Sequence, residues 1–240
     1  MKSTERHHLK ENELSQVLGQ ATERLMENRS ALAIAVGAVA LVVAIGGGYW
    51  AWTTRAQSSS QALLAEALLV VQAPIEEPKP GATPTPGSYP NVNARAEAAL
   101  TKLSAVYEAY PSARAGIAAR YYAGSALSML GRPAEAAARY QEVADRAGST
   151  DFYGRMARLG AIEANAQAKQ YDQAISAAQA LVNNTADDAI PRDALLMELG
   201  RVQAAAGRKA EAKQTLDKVI ADFPQSVYID EARRLLETIT

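Results

Sequence analysis

The 240-residue chain contains no cysteine. That absence excludes disulfides, thiolate nucleophiles, zinc–thiolate centres and lipid attachment through a cysteine. It fits an oxidising compartment without requiring one, since many chains from reducing compartments also lack cysteine. Histidine is nearly missing: His7 and His8 stand side by side near the N-terminus. Adjacent histidines do not form an i, i+4 pair on a helix, so a metal site there would have to recruit Glu5 and Glu11; the simpler reading is a solvated tail. The chain has no HExxH, no Walker-type phosphate loop, no GxSxG and no GxGxxG. Asp187 and Asp188 form an acidic pair without a third carboxylate or a base partner, and read as turn and helix-start residues. The sequons at Asn28-Arg29-Ser30 and Asn183-Asn184-Thr185 are of a kind that recurs by chance. A net charge of −1 gives no electrostatic case for nucleic acid. No catalytic, cofactor-binding or metal-ligating residue is assigned, and the chain reads as non-enzymatic.

Charge is also missing from one whole segment. Ala31 to Trp52 carries none in 22 residues. As a helix it would span roughly 33 Å, against a hydrocarbon core of about 30 Å. Its eight Leu, Ile and Val residues favour insertion by only about 2 to 5 kcal/mol, and four glycines add little. Tyr49, Trp50 and Trp52 gather at one end, as rings at headgroup depth do. A buried core helix of this length would carry a polar face, and no small-x-small cleavage site follows the run. The expectation is a transmembrane signal anchor over residues 31–54. Lys2, Arg6, Lys10, Arg24 and Arg29 precede it and Arg55 alone follows closely, which places residues 1–30 in the cytoplasm and the C-terminal bulk outside: the periplasm, in a bacterium.

The tail has apolar residues at Leu14, Val17, Leu18, Ala21 and Leu25, a helical spacing. A surface-lying amphipathic helix, a self-association face and a partly ordered tail all fit it. After the span, Gln61 to Gln72 is apolar and helix-prone and continues the membrane helix on this reading. Six of the ten prolines then fall between Pro74 and Pro90. Residues 73–93 are therefore expected as an exposed Pro-rich insert. From Ala94 the pattern predicts helices near 94–109, 113–130, 133–146, 152–168, 171–183, 191–206, 209–222 and 227–239.

Within this region GRPAEA at Gly131 to Ala136, KQYDQA at Lys169 to Ala174 and GRKAEA at Gly207 to Ala212 recur with a step of 38 residues. A period of that size marks an array of paired helices, each burying its apolar face on the next. Small residues let paired backbones approach; large ones fill the gap to the neighbouring pair. The first copy places Gly124, Gly131, Ala136 and Tyr140 at these positions. The third has Gly200, Gly207, Ala212 and Leu216, with Pro224 ending the unit. The middle copy keeps Tyr171, Ala174 and Leu181 but sets Ile162 at the small position, Lys169 at the turn and Ala178 at the bulky one. This spacing resembles the tetratricopeptide (TPR) repeat, with a period longer than the usual 34. A half-unit upstream uses Ala98 or Ala99, Leu103, Val106 and Pro111, its first helix at Ser58 to Gln72. Val227 to Ile239 closes the array with Arg233, Arg234 and Glu237 on a polar face.

The layout as a whole resembles the membrane-anchored TPR proteins of the YfgM type, ancillary subunits of the SecYEG translocon. The fold class expected is all-α: a transmembrane helix, then a TPR-like solenoid of about three and a half helix pairs plus a cap over 57–240. The resemblance implies an inner-membrane protein beside the Sec translocon, in contact with a membrane-anchored periplasmic chaperone, with no cofactor. By the TPR register the first helix of each pair lines a protein-binding groove, at Tyr121, Ser125, Met129, Met156, Glu163, Gln167, Met197 and Arg201. Three methionines there would give an adaptable apolar surface, and Glu163 and Arg201 could orient a ligand or pair with each other. The alternatives are that the methionines pack between repeats, and that the protein is an envelope scaffold self-associating through Ala33, Gly37, Ala40, Ala44 and Gly48.

Overall fold

The computed structural model describes residues 29–77, 85–148, 150–184 and 190–239. His7, His8, the amphipathic tail pattern, most of the cationic tail and the Asp187–Asp188 pair lie outside the described residues. So do residues 78–84 of the Pro-rich insert. Two compact units divide the chain, one ending at Ala56 and one beginning at Gln57.

The first described helix, α1 (Arg29–Val71), is continuous through the apolar run and beyond it. In the first unit its described large apolar side chains are exposed: Ile34 is 73% exposed, Val42 69% and Trp50 70%. A stretch of it, Ala33–Val71, is long and apolar enough to cross a membrane by length and composition. The run ends where Thr53 and Thr54 donate their hydroxyls back to the Trp50 carbonyl at 2.9 and 2.8 Å. That pairing satisfies a hydroxyl without water.

The second unit is all-helical among its described residues: α2 (Val92–Ala109), α3 (Arg114–Met129), α4 (Pro133–Ala147), α5 (Phe152–Gln167), α6 (Tyr171–Asn183), α7 (Arg192–Ala205), α8 (Lys209–Asp222) and α9 (Ile229–Ile239). Each packs on its sequence neighbours; α3 also touches α5, α5 touches α7 and α7 touches α9. The first helices thus form one layer and the second helices another, a TPR-like solenoid. Its core is three successive clusters, built on Leu103 and Val106, then on Tyr140 and Val143, then on Ile162, Met197 and Leu216.

The turns show why the period holds. In each of three pairs the chain leaves the first helix through the same double hydrogen bond. Arg132 N donates to Leu127 O and Gly131 N to Ser128 O; Gln170 and Lys169 do likewise to Asn165 and Ala166, and Arg208 and Gly207 to Gln203 and Ala204. This is the Schellman closure, which needs a left-handed residue. Gly131 and Gly207 supply it at φ 69° and 74°, and Lys169 adopts it at φ 60°. The middle copy therefore keeps the turn without the glycine. Relief of the left-handed penalty, roughly 1–2 kcal/mol, exceeds glycine's entropic cost of about 0.5–1 kcal/mol. Lys169→Gly should accordingly stabilise the domain by about 0.5–1 kcal/mol, read from the denaturation midpoint at unchanged slope.

The small and bulky positions meet as the pattern requires. A Cβ on Gly200 would lie 2.7 Å from Leu216 Cδ2, and one on Gly124 would lie 2.8 Å from Tyr140 Cε1. Ala136, Ala174 and Ala212 are fully buried. In the middle copy the sizes are exchanged: Ile162 and Ala178 are both buried in one cluster, a large residue on the first helix and a small one on the second. Tyr171 is half-buried against the same cluster. Pro224 follows Phe223, which caps α8 through its N–H to the Val219 carbonyl.

The described flanks of the Pro-rich insert are pinned rather than loose. Tyr89 N donates to Pro74 O and Glu76 N to Tyr89 O, each at 2.9 Å. The Glu76 carboxylate accepts from Thr85 N at 3.1 Å and from the Ser88 hydroxyl at 3.4 Å. Ala73, expected within an exposed stretch, is buried. Its carbonyl accepts from Arg95 Nη1 at 3.1 Å.

Candidate protein-binding face

The layer of first helices, α3, α5 and α7, carries all eight residues assigned to the groove. Tyr121 is half-buried at the centre of a group of rings: 5.4 Å from Tyr122, 5.6 Å from Tyr140 and 5.6 Å from Tyr153. Phe152, 53% exposed, packs edge-on to Tyr153 at 5.4 Å. Tilted and edge-to-face contacts of this kind hold rings in place while leaving edges and faces available. Burial raises the Tyr121 and Tyr153 hydroxyls above their ordinary pKa, with neighbouring tyrosine Tyr122 adding to each. They are neutral hydrogen-bonding groups at physiological pH.

Ser125 is half-buried, Met129 is exposed and Met156 is half-buried. Glu163 and Gln167 are both exposed and pair along one turn, Gln167 Nε2 donating to Glu163 Oε1 at 3.1 Å. They can reorganise around a ligand at little cost, as solvated i, i+4 pairs do.

Two expectations are corrected. Met197 is fully buried and lines no accessible groove. It shares the register of half-buried Tyr121 and Leu159, but α9 packs across α7 and brings Ala232, Leu235 and Leu236 onto the cluster that holds Met197. The three methionines therefore do not share one surface. Arg201 does not pair with Glu163. It is held by Glu198 at 3.0 Å and by both oxygens of Glu231 on α9 at 2.9 and 2.7 Å, with the Tyr228 ring 6.0 Å away. Arg201 fastens the closing helix.

That fastening has a pH signature. The hydrogen bond from Arg201 holds the Glu231 carboxyl below its ordinary value of 4.5. A depressed folded-state pKa contributes stability above the unfolded pKa and loses it as pH falls through the folded one. Glu231→Gln should therefore flatten the acid limb of the stability profile below about pH 4.5. Because both side chains are 40% exposed, its cost at pH 7 should stay under about 1 kcal/mol.

Comparison with known proteins bears on this geometry directly. Residues 118–149 and 193–226 match the tetratricopeptide repeat family model. Two stretches of the chain thus carry the tetratricopeptide pattern. The two matched segments cover α3–α4 and α7–α8, the pairs with glycine turns and with Gly124–Tyr140 and Gly200–Leu216 in contact. The helix pair between them, α5–α6, lies outside the matched segments and departs from the pattern through its exchanged sizes and Lys169. Two solved structures of nearly identical TPR-like repeats of a putative kinesin light chain from Podosopora anserina, one of them a point variant, are similar at 19% identity. Each covers 61% of this chain and 86% of its own, with TM-scores of 0.48 and 0.47. No curated protein matches the chain.

The ring group was not legible in the sequence. Tyr121–Tyr122 and Phe152–Tyr153 do not lie one 38-residue step apart. They meet because the N-terminal turn of α5 passes beside the middle of α3. The only available signal was the scarcity of aromatics, 6% of the chain, against two adjacent aromatic pairs in neighbouring first helices.

Proposed function

We propose that the protein is a membrane-anchored, non-enzymatic binding module. In this reading the apolar part of α1 crosses a bacterial inner membrane with the N-terminus in the cytoplasm. The tetratricopeptide domain then stands in the periplasm and presents its first-helix face to other proteins. Its place is beside the Sec translocon, where it assists translocation or hand-off to a periplasmic chaperone.

The observation that carries this reading is the joining of a tetratricopeptide array, a fold that binds proteins, to a single helix of membrane-spanning length and hydropathy. The Lys and Arg bias supports the orientation, and the overall layout, similar to YfgM-type proteins, supports the translocon. Tyr122, Met129, Phe152, Met156, Glu163 and Gln167 offer rings, thioethers and adaptable polar groups in one layer, a composition suited to varied protein segments.

The test is photocrosslinking in native membranes from probes placed at Met129 and Glu163. Recovery of translocon or chaperone subunits is the expected result. Recovery of unrelated envelope proteins would remove the translocon role and leave the binding module. Protease added from outside should degrade the repeats in spheroplasts and spare them in intact cells; repeats that stay protected in spheroplasts would reverse the topology.

A further inference from the structure

The junctions between successive helix pairs are built on one frame. One of them is filled from within the chain and the next is open. The buried set Ala99, Leu103, Val106 and Tyr107 on α2 repeats as Ala136, Tyr140, Val143 and Ala144 on α4, a step of 37 residues. The step from α3 to α5 is 38, since Gly116 abuts the Tyr110 carbonyl as Gly154 abuts the Gly148 carbonyl. The step from α4 to α6 is also 38, carrying buried Ala136 and Ala137 onto Ala174 and Ile175.

At the first junction, among α2, α3 and α4, Arg120 is only 5% exposed. Its guanidinium and that of Arg139 each lie 4.9 Å from the centre of the Tyr107 ring. Glu142 Oε2 stands 3.1 Å from Arg120 Nε, off the line of a hydrogen bond, and 2.9 Å from Arg139 Nη1. The remaining Arg120 contacts are long, 3.4 Å to the Pro111 carbonyl and 3.5 Å to that of Tyr107. A buried guanidinium is tolerated where a ring face and a carboxylate attend it, and here the chain supplies both. Glu142 is half-exposed, so Glu142→Ala should cost about 1–3 kcal/mol, less than a fully buried pair. A double-mutant cycle with Arg120→Met would assign that loss to the pair.

The second junction, among α4, α5 and α6, holds a surface cleft of about 350 Å³. Arg158 lines it and occupies the place of Arg120. Ala144 stands where Tyr107 stands, Ala177 where Arg139 stands and Ala180 where Glu142 stands, and all three alanines line the cleft. The arginine is present, but its ring and its carboxylate are reduced to methyl groups. Among the described residues Arg158 makes no hydrogen bond or ion pair. At the third junction the corresponding residue is Leu196, buried, with buried Val182 and Thr215 around it and no cation to satisfy. Open space and a cation without a partner among the described residues thus coincide at the second junction.

We infer that this cleft receives an aromatic side chain and a neighbouring carboxylate from a protein partner, the ring stacking on Arg158 and the carboxylate pairing with it. The filled junction shows that the frame accommodates this combination. The volume lies at the low end of the roughly 300–1,000 Å³ of small-molecule sites, the scale of one or two side chains rather than a folded element. Asp145, bonded to Gln141 Nε2 at 2.8 Å, makes the α4 rim negative and directs the carboxylate toward the Ala177–Ala180 side. The second helices contribute two of the three walls, so this surface is distinct from the first-helix face.

The test uses the full chain in detergent micelles with ¹³C-labelled alanine methyls, titrated with acetyl-Glu-Tyr-amide to tens of millimolar. The methyls of Ala144, Ala177 and Ala180 should shift saturably. Acetyl-Gln-Leu-amide should bind at least roughly tenfold more weakly. Ala177→Arg with Ala180→Glu, which restores the Arg139 and Glu142 side chains of the filled junction and gives Arg158 a carboxylate within its own chain, should weaken binding at least roughly tenfold. Arg158→Gln, which leaves the cleft open and removes only the cation, should do the same and serves if the double variant does not fold. Absence of saturation, an equal response to acetyl-Gln-Leu-amide, or undiminished binding by Arg158→Gln would overturn the inference. Identical shifts with sodium acetate alone at the same concentration would overturn it too, by removing the aromatic partner.

Discussion

Tyr140→Ala should lower the stability of the repeat domain by about 3–5 kcal/mol, as truncating a large buried aromatic does where the cavity stays open. The ring lies between two glycines. A Cβ on Gly124 would stand 2.8 Å from its Cε1 and one on Gly160 would stand 2.9 Å from its Cε2. Those glycines belong to α3 and α5, so one side chain joins the first helix pair to the second. The walls are helix backbone, which cannot move into a void as side chains can. Chemical denaturation of the full chain followed by helical circular dichroism measures the effect, and a loss below about 1 kcal/mol would mean that the junction relaxes. Burial pushes the Tyr140 hydroxyl up to about 12, so the ring is neutral across the ordinary range and the loss should not change between about pH 6 and 9. Gly160→Leu attacks the same contact by overpacking and should cost about 1–3 kcal/mol.

Met197→Ala should cost about 2–5 kcal/mol, whereas Glu163→Ala should stay within about 0.5 kcal/mol. The pair separates a core position from an accessible one within the residues first assigned to a single groove. Met197 is fully buried in the cluster shared by α5 to α9. Glu163 is exposed and, among the described residues, is bonded along its own helix to Gln167. If Met197→Ala were nearly neutral while weakening partner capture, the side chain would belong to the binding face after all. The expected outcome is the reverse: loss of stability, with capture by the folded fraction unchanged.

Most helix positions were legible because their signals are local. Pro133 starts α4, Gly131 and Gly207 close turns at positive φ, and the 38-residue step puts Ala136, Ala174 and Ala212 in equivalent buried places. Lys169 was a departure at sequence level, yet the turn forms around it, since two backbone hydrogen bonds outweigh one unfavourable dihedral. The candidate face was legible only in part. Helix register located Tyr121, Ser125, Met129, Met156, Glu163 and Gln167 on the first helices. It could not show that α9 would close over Met197 and take Arg201 for its own anchoring. That outcome depends on the Glu231 carboxylate, 30 residues along the chain.

By itself, then, the sequence determined the elements: one apolar helix of membrane-spanning length, an array of paired helices, and the small and large residues that set their spacing. These follow from periodicity and steric size, which act within a helix or between sequence neighbours. The tertiary structure decided which surfaces stay open. The ring group at Tyr121, Tyr122, Phe152 and Tyr153, the burial of Met197 and the contrast between Arg120 and Arg158 each depend on three helices meeting at once. Whether a cation finds a ring and a carboxylate inside its own chain or is left facing a cleft is settled by residues a full repeat away, beyond the reach of local pattern.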